Sequence, residues 1–161
     1  MKNLYLFRHG KSSWTFNLPD HDRPLGKRGR KDVLKMGTFL KNSVMPPEVV
    51  ISSTASRAFY TALHICDSFG ISEAKIILNE ALFHAGSSEI LRVIQSAPDC
   101  ETLAVFGHNP GFTNAANRLS NANIENIPTG GVAGISFNVR QWSEVDFGEG
   151  REAFFHYPKG I

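Results

Sequence analysis

Apolar residues in this chain come in short runs, and between the runs they recur at helical spacing. Leu4-Tyr5-Leu6-Phe7 is such a run, and it suits a strand buried on both faces. Glu48-Val49-Val50-Ile51-Ser52 is a second strand, rich in β-branched residues. Lys75-Ile76-Ile77-Leu78 and Thr102-Leu103-Ala104-Val105-Phe106 are the third and fourth. Between the first two, Val33, Leu34, Met36, Gly37 and Leu40 predict an amphipathic helix from about Arg30 to Leu40. A second helix is expected from the Ser53–Arg57 segment to about Phe69, with Ser53 or Thr54 as N-cap and Gly70 as C-cap. A third is expected around Ser87–Ser96, capped by Ser87 or Ser88, burying Ile90, Leu91, Val93 and Ile94, and broken by Pro98-Asp99. A fourth follows Gly111-Phe112 and runs to about Leu119. Val132–Val139 reads as a fifth strand and Glu152–Tyr157 as a sixth, paired as an antiparallel hairpin.

This alternation predicts an α/β fold: a three-layer α/β/α sandwich with a mostly parallel central sheet of about six strands, the last strand or strands antiparallel. One domain over residues 1–161 is expected, since 161 residues suffice for a proper core and no linker or repeat interrupts them. Apolar residues make up 42% and charged residues 20%, as in ordinary globular proteins. No apolar run approaches a membrane span, and the four apolar residues between Asn3 and Arg8 are too few for a signal peptide. A cytoplasmic location without membrane contact is expected. The net charge of +2 is too weak to imply a nucleic-acid partner. The basic cluster Lys27-Arg28-Gly29-Arg30-Lys31 reads as a solvated helix start that can help draw in an anion. Cys66 and Cys100 make neither a disulfide framework nor a zinc site and read as buried or half-buried free thiols. Asp20-His21-Asp22 lacks the converging partners of a metal site, so no metal is expected.

Three strands end in polar signals: Arg8-His9-Gly10, Ser53 to Arg57, and Gly107-His108-Asn109. In a parallel sheet those ends lie on one edge, where ligands bind. Two arginines and two histidines then converge although they are distant in sequence. Two guanidiniums suit a phosphoryl group, each contributing on the order of 4 kcal/mol at about 4 Å and an effective dielectric near 20, before desolvation. Arg57, in the first turn of its helix, sits at the positive end of the helix dipole, an unfavourable place unless an anion meets it. Nearby cations favour a neutral imidazole, the form His9 needs to attack phosphorus. His108 can donate to the phosphoryl oxygens as charge develops.

These residues, taken in order, resemble the histidine phosphatase superfamily, and more closely its short phosphohistidine phosphatase, SixA-like branch. The resemblance rests on Arg8-His9-Gly10-Lys11-Ser12-Ser13-Trp14, Asp22-Arg23-Pro24-Leu25 with Arg28-Gly29, and Ser53-x-x-Ser56-Arg57-Ala58 with Thr61-Ala62. Gly107-His108-Asn109-Pro110-Gly111 and Pro128-Thr129-Gly130 complete it, so it covers nearly the whole chain. It implies a phosphoglycerate mutase-like fold, a phosphorylated nucleophile at His9, and a phosphate pocket of Arg8, His9, Arg57 and His108. It implies neither metal nor cofactor. Relatives that cleave esters place a glutamate after the third strand as proton donor, and Glu80 falls at the corresponding position. The implied partner is a protein carrying phosphohistidine, with a small phosphate ester as the alternative substrate and a noncatalytic phosphate-binding module as the alternative class. A mutase is disfavoured because its longer insertions are missing. His84 reads as a packing or surface residue, as do His21, His64 and His156. Trp14 and Phe16 are candidates to wall the pocket, with core packing expected for at least one of them.

Overall fold

The computed structural model describes residues 1–161. Six strands form one sheet: β1 (Lys2–Arg8), β2 (Val49–Ser52), β3 (Ile76–Leu78), β4 (Thr102–Gly107), β5 (Val132–Phe137) and β6 (Arg151–His156). Their order is β3-β2-β4-β1-β5-β6. The first four strands run parallel to one another, β5 lies antiparallel to β1, and β6 lies antiparallel to β5. The expected α/β sandwich with a closing antiparallel hairpin is therefore what the chain forms.

Alternation along β1 explains the layers. Leu4 and Leu6 point to one face, where α3 (Ser87–Gln95) and α4 (Gly111–Leu119) supply Ile90, Ile94, Phe112 and Ala116. Tyr5 and Phe7 point to the other, where α1 (Lys27–Lys41) and α2 (Ser56–Phe69) supply Met36, Leu40, Ala62 and Ile65. Phe7 stacks on Phe106 of the neighbouring strand, ring centroids 4.3 Å apart. No helix is long and apolar enough to cross a membrane.

The helix boundaries depart from expectation in ways that bear on the site. α1 begins at Lys27, a turn earlier than its apolar pattern suggests. Gly29 belongs to that first turn: a Cβ there would collide with the Lys11 backbone, so the glycine lets α1 press against the segment leaving β1. Neither Ser53 nor Thr54 caps α2; Ala55 holds the N-cap position, with no side-chain cap. Both hydroxyls are engaged elsewhere, Ser53 with His108 and Thr54 with His21. Gly86, not Ser87 or Ser88, precedes α3, and Ser87 Oγ accepts from Arg118 instead. Gly70 does end α2 in the left-handed conformation, φ 75°.

Candidate active site

The carboxyl ends of β1, β4 and β2 are neighbours, and the sheet ladder continues past them. His9 N–H donates to Gly107 O at 3.0 Å, and Ser53 N–H donates to Phe106 O at 2.9 Å. This lateral pairing sets His9, His108 and Ser53 side by side, and α2 then brings Arg57 over them.

His9 is buried. Its Nδ1 lies 2.6 Å from the Gly10 carbonyl oxygen, which can only accept. The hydrogen of the neutral ring is thereby held on Nδ1 and Nε2 is left bare. Arg57 Nε faces that bare nitrogen at 3.4 Å. The Gly10 carbonyl is steadied in turn, because Gly10 N–H donates to Thr61 Oγ1 and Thr61 Oγ1–H donates to Arg57 O. Burial pushes His9 down to about 4; the Arg57, Arg8 and Arg23 cations push the same way, against the Gly10 hydrogen bond.

His108 sits across the cleft, its ring centroid 5.1 Å from that of His9. Its Nε2 lies 2.9 Å from Ser53 Oγ, and its Nδ1 is buried without a partner. Burial, then the neighbouring His9, Arg57 and His84, lowers it to about 3, with Asp20 opposing. Arg8 donates from one terminal nitrogen to Ile127 O at 2.9 Å, while its Nε is buried and unpartnered. The edge of Phe83 packs on His108, centroids 5.4 Å apart, and the Arg57 guanidinium lies 6.0 Å over the same ring.

Two residues outside the expected set complete the arrangement. Asp20, in a 3-10 turn at Asp20–Asp22, accepts from Arg57 through a carboxylate oxygen at 3.1 Å and through its backbone carbonyl at 2.6 Å. Its other carboxylate oxygen accepts from Arg23 at 3.1 and 3.0 Å. Burial acts against ionisation of Asp20, but the two guanidiniums outweigh it and hold the carboxyl below its ordinary range. Arg23 is itself buried and stacks under Trp14, 3.4 Å from the ring centroid. The Asp22-Arg23-Pro24-Leu25 signature pointed at this segment, but nothing in it says that Asp20 would meet Arg57.

Arg8, His9, Arg57 and His108 thus lie in one cleft. Glu80 does not join them by any hydrogen bond or ion pair: it opens a 3-10 turn after β3, exposed to solvent. His84 is exposed at φ 59°, its ring tilted against Phe83. His156 packs between Phe39 and Phe154, and His64 lines a surface groove. His21 is closer to the cleft than expected, edge-on to Phe83 and 2.8 Å from Thr54 Oγ1. Neither Trp14 nor Phe16 is a core residue; they are 78% and 59% exposed. Cys66 and Cys100 are buried, and burial raises both thiols, Cys66 to about 11.

A bare imidazole nitrogen aimed at a guanidinium, flanked by a second cation and a second neutral imidazole, can take up a tetrahedral oxyanion and attack its centre. The profile of the histidine phosphatase superfamily (branch 1) matches residues 4–83, which include Arg8, His9 and Arg57. The chain belongs to the histidine phosphatase superfamily. A chloroplastic, uncharacterized Arabidopsis thaliana protein is 33% identical, over 89% of this chain and 70% of its own length. The protein assigned as phosphohistidine phosphatase SixA in Nakamurella multipartitia superposes with a TM-score of 0.84 at 25% identity, over 98% of this chain and 96% of that one. The protein histidine phosphatase SixA complexed with tungstate shares the fold, TM-score 0.78 at 18% identity, over 98% and 97%. The chain is a SixA-like histidine phosphatase superfamily member, and this membership supports phosphatase activity.

Proposed function

We propose that this protein is a phosphatase working through a phosphohistidine on His9, without a metal, and that its substrate is a protein carrying phosphohistidine. The observation that carries the reading is the Gly10 carbonyl on His9 Nδ1, which leaves Nε2 without a proton, its lone pair accepting from Arg57 Nε–H until a phosphoryl group takes that donor's place. In the first step His9 Nε2 bonds to phosphorus and the bond from phosphorus to the substrate's imidazole breaks; the substrate ring, already protonated on its second nitrogen, leaves as neutral imidazole. In the second, water attacks phosphorus, the P–Nε2 bond breaks and inorganic phosphate departs. One hard displacement becomes two easier ones. Arg8 Nε and His108 Nδ1 are buried polar atoms with no partner in the protein, as expected of groups that await phosphoryl oxygens. The guanidiniums supply the positive charge, so full activity in a chelator is expected.

Two features favour a protein-borne leaving group. A phosphorylated imidazole leaves without strong acid help, and Glu80 is exposed rather than hydrogen-bonded within the cleft. A groove of about 860 Å³ between the Asp22 segment and the start of α2, lined by Phe16, Leu18, Tyr60, Lys27 and Arg30 but by none of the four site residues, offers a surface to a protein partner. The two buried free thiols fit the cytoplasm, a reducing compartment. His9→Ala should fold normally and lose at least about a thousandfold in turnover of an activated aryl phosphate, the scale of losing a nucleophile. Wild-type protein quenched in mid-reaction should carry an acid-labile, alkali-stable phosphoryl group that the variant lacks. Turnover by His9→Ala would remove His9 from the mechanism. Phosphate binding without any phosphoenzyme would make the protein a binding module, and faster turnover of a small ester than of a phosphohistidine protein would replace the substrate.

A further inference from the structure

Ser53 is fully buried at the end of β2 and belongs to no part of the reaction described so far. Its Oγ touches two groups. Ala55 N–H donates to it at 3.2 Å, and His108 Nε2 lies 2.9 Å away. Nothing else is within hydrogen-bonding reach of that hydroxyl, and no solvent reaches it. The second nitrogen of His108, Nδ1, is buried and unpartnered.

We propose that Ser53 is a positioning residue: its hydroxyl donates to His108 Nε2 and fixes the imidazole as the tautomer with hydrogen on Nδ1, ready to donate to a phosphoryl oxygen. The argument is one of satisfying donors and acceptors. A neutral imidazole has one N–H and one bare nitrogen. Suppose the hydrogen sat on Nε2. Ser53 Oγ would then accept twice, from Ala55 and from His108, and its own proton would have no acceptor. Nδ1, the only edge of the ring not engaged by protein, would offer a lone pair to an incoming anion. That arrangement strands one buried O–H and makes His108 repel phosphate. In the reverse arrangement Ser53 accepts from Ala55 and donates to Nε2, so both its roles are filled. The one group left without a partner is then an N–H donor in the anion cleft. The low basicity of the buried ring keeps this a choice between neutral tautomers. His9 is fixed in the same sense by the Gly10 carbonyl, so two different backing groups hold the two imidazoles with Nδ1 protonated. In one ring the bare Nε2 faces the phosphorus; in the other the Nδ1–H faces its oxygens. The step in which Ser53 acts rests on the phosphatase reading, but the tautomer does not.

The test is a long-range 1H–15N correlation spectrum of the full chain labelled at histidine, at neutral pH, with and without inorganic phosphate. His108 should show a protonated Nδ1 and a bare Nε2, and phosphate should move the Nδ1–H resonance. In Ser53→Ala the His108 signals should shift to a mixture of tautomers. The phosphate dissociation constant should rise several-fold, and kcat on an aryl phosphate should fall by about ten- to a hundredfold, within the range seen when an oxyanion donor is impaired. Ser53→Thr, which keeps the hydroxyl, should restore the wild-type tautomer. An Nε2–H tautomer in the wild type overturns the proposal, and so does an unchanged tautomer and phosphate affinity in Ser53→Ala. The wild-type spectrum decides the matter even if the alanine variant does not fold. A wild type that binds phosphate with the expected tautomer but turns over no phosphoryl substrate would sink the phosphatase reading alone.

Discussion

Acid is the sharpest perturbation of this site, because it acts on the nucleophile itself. His9 is lowered from 6.5 to about 4, which corresponds to on the order of 3 kcal/mol at about 1.4 kcal/mol per pH unit. At about pH 5.5 an ordinary histidine is neutral in roughly a tenth of molecules; His9 should be neutral in nearly all. Phosphorylation of the enzyme in a single turnover should therefore persist down to about pH 4.5 and fail below it. Burial is the largest cause of the shift and the cations come after it. Arg57→Gln should accordingly raise the His9 pKa without returning it to 6.5. The same shift fixes the sign of a stability effect. Between the folded values, about 4 for His9 and about 3 for His108, and the ordinary 6.5, the unfolded chain binds more protons. The stability from both rings is fully present above 6.5 and is lost progressively as pH falls through that window. The assays are an NMR titration of labelled histidine, chemical denaturation across the window, and rapid-quench labelling. A His9 that titrates near 6.5, with denaturation midpoints flat from about pH 4 to 6.5, would refute the account of the buried nucleophile.

Asp20→Asn keeps the shape but removes the charge shared by Arg23 and Arg57. Because the carboxylate is 45% exposed, the loss of stability should be only about 1 kcal/mol. Turnover should fall about tenfold as Arg57 loses its fixed orientation, and wild-type turnover with an unchanged Tm would take Asp20 out of the site's support. Glu80→Gln should reduce turnover of alkyl phosphates, whose alkoxide needs a proton, more than turnover of phosphohistidine; equal losses on the two would argue against Glu80 as the ester-specific acid.

The strands were legible because β1 and β4 are nearly continuous apolar runs that break off at a polar residue, Arg8 at the end of one and His108 just after the other. The convergence of Arg8, His9, Arg57 and His108 was legible for a topological reason: strands that alternate with helices must run parallel, so their ends share an edge. What was not legible depends on side chains meeting across loops. Residues 11–26 carry no periodic pattern, so nothing placed Asp20 against Arg57 or Arg23 under Trp14. Ser53 was read for its local use as a helix cap, the commonest role of a serine before a helix. A tertiary partner, His108, claimed its hydroxyl instead. Trp14 and Phe16 were read for their apolar surface, but one is stacked on a cation and the other is left at a groove.

The electrostatics of the cleft are set before any substrate arrives. Arg8 and Arg57 crowd toward two imidazoles, and Arg23 adds its field from behind. Were either imidazole protonated, four like charges would share a poorly solvated space, and the ring would lose its power either to attack or to bind as a neutral donor. Burial prevents this by keeping both rings uncharged near neutral pH, and the one nearby carboxylate, Asp20, balances the guanidiniums from the rim. Asp20 holds Arg57 by both terminal nitrogens and turns its Nε–H onto His9 Nε2, a 3.4 Å hydrogen bond that an entering phosphoryl group displaces. A dianionic phosphoryl group entering this cleft meets donors that are already oriented, which is the condition under which such donors lower a barrier most. Its charge also replaces, at closer range, the compensation that Asp20 supplies alone in the empty protein.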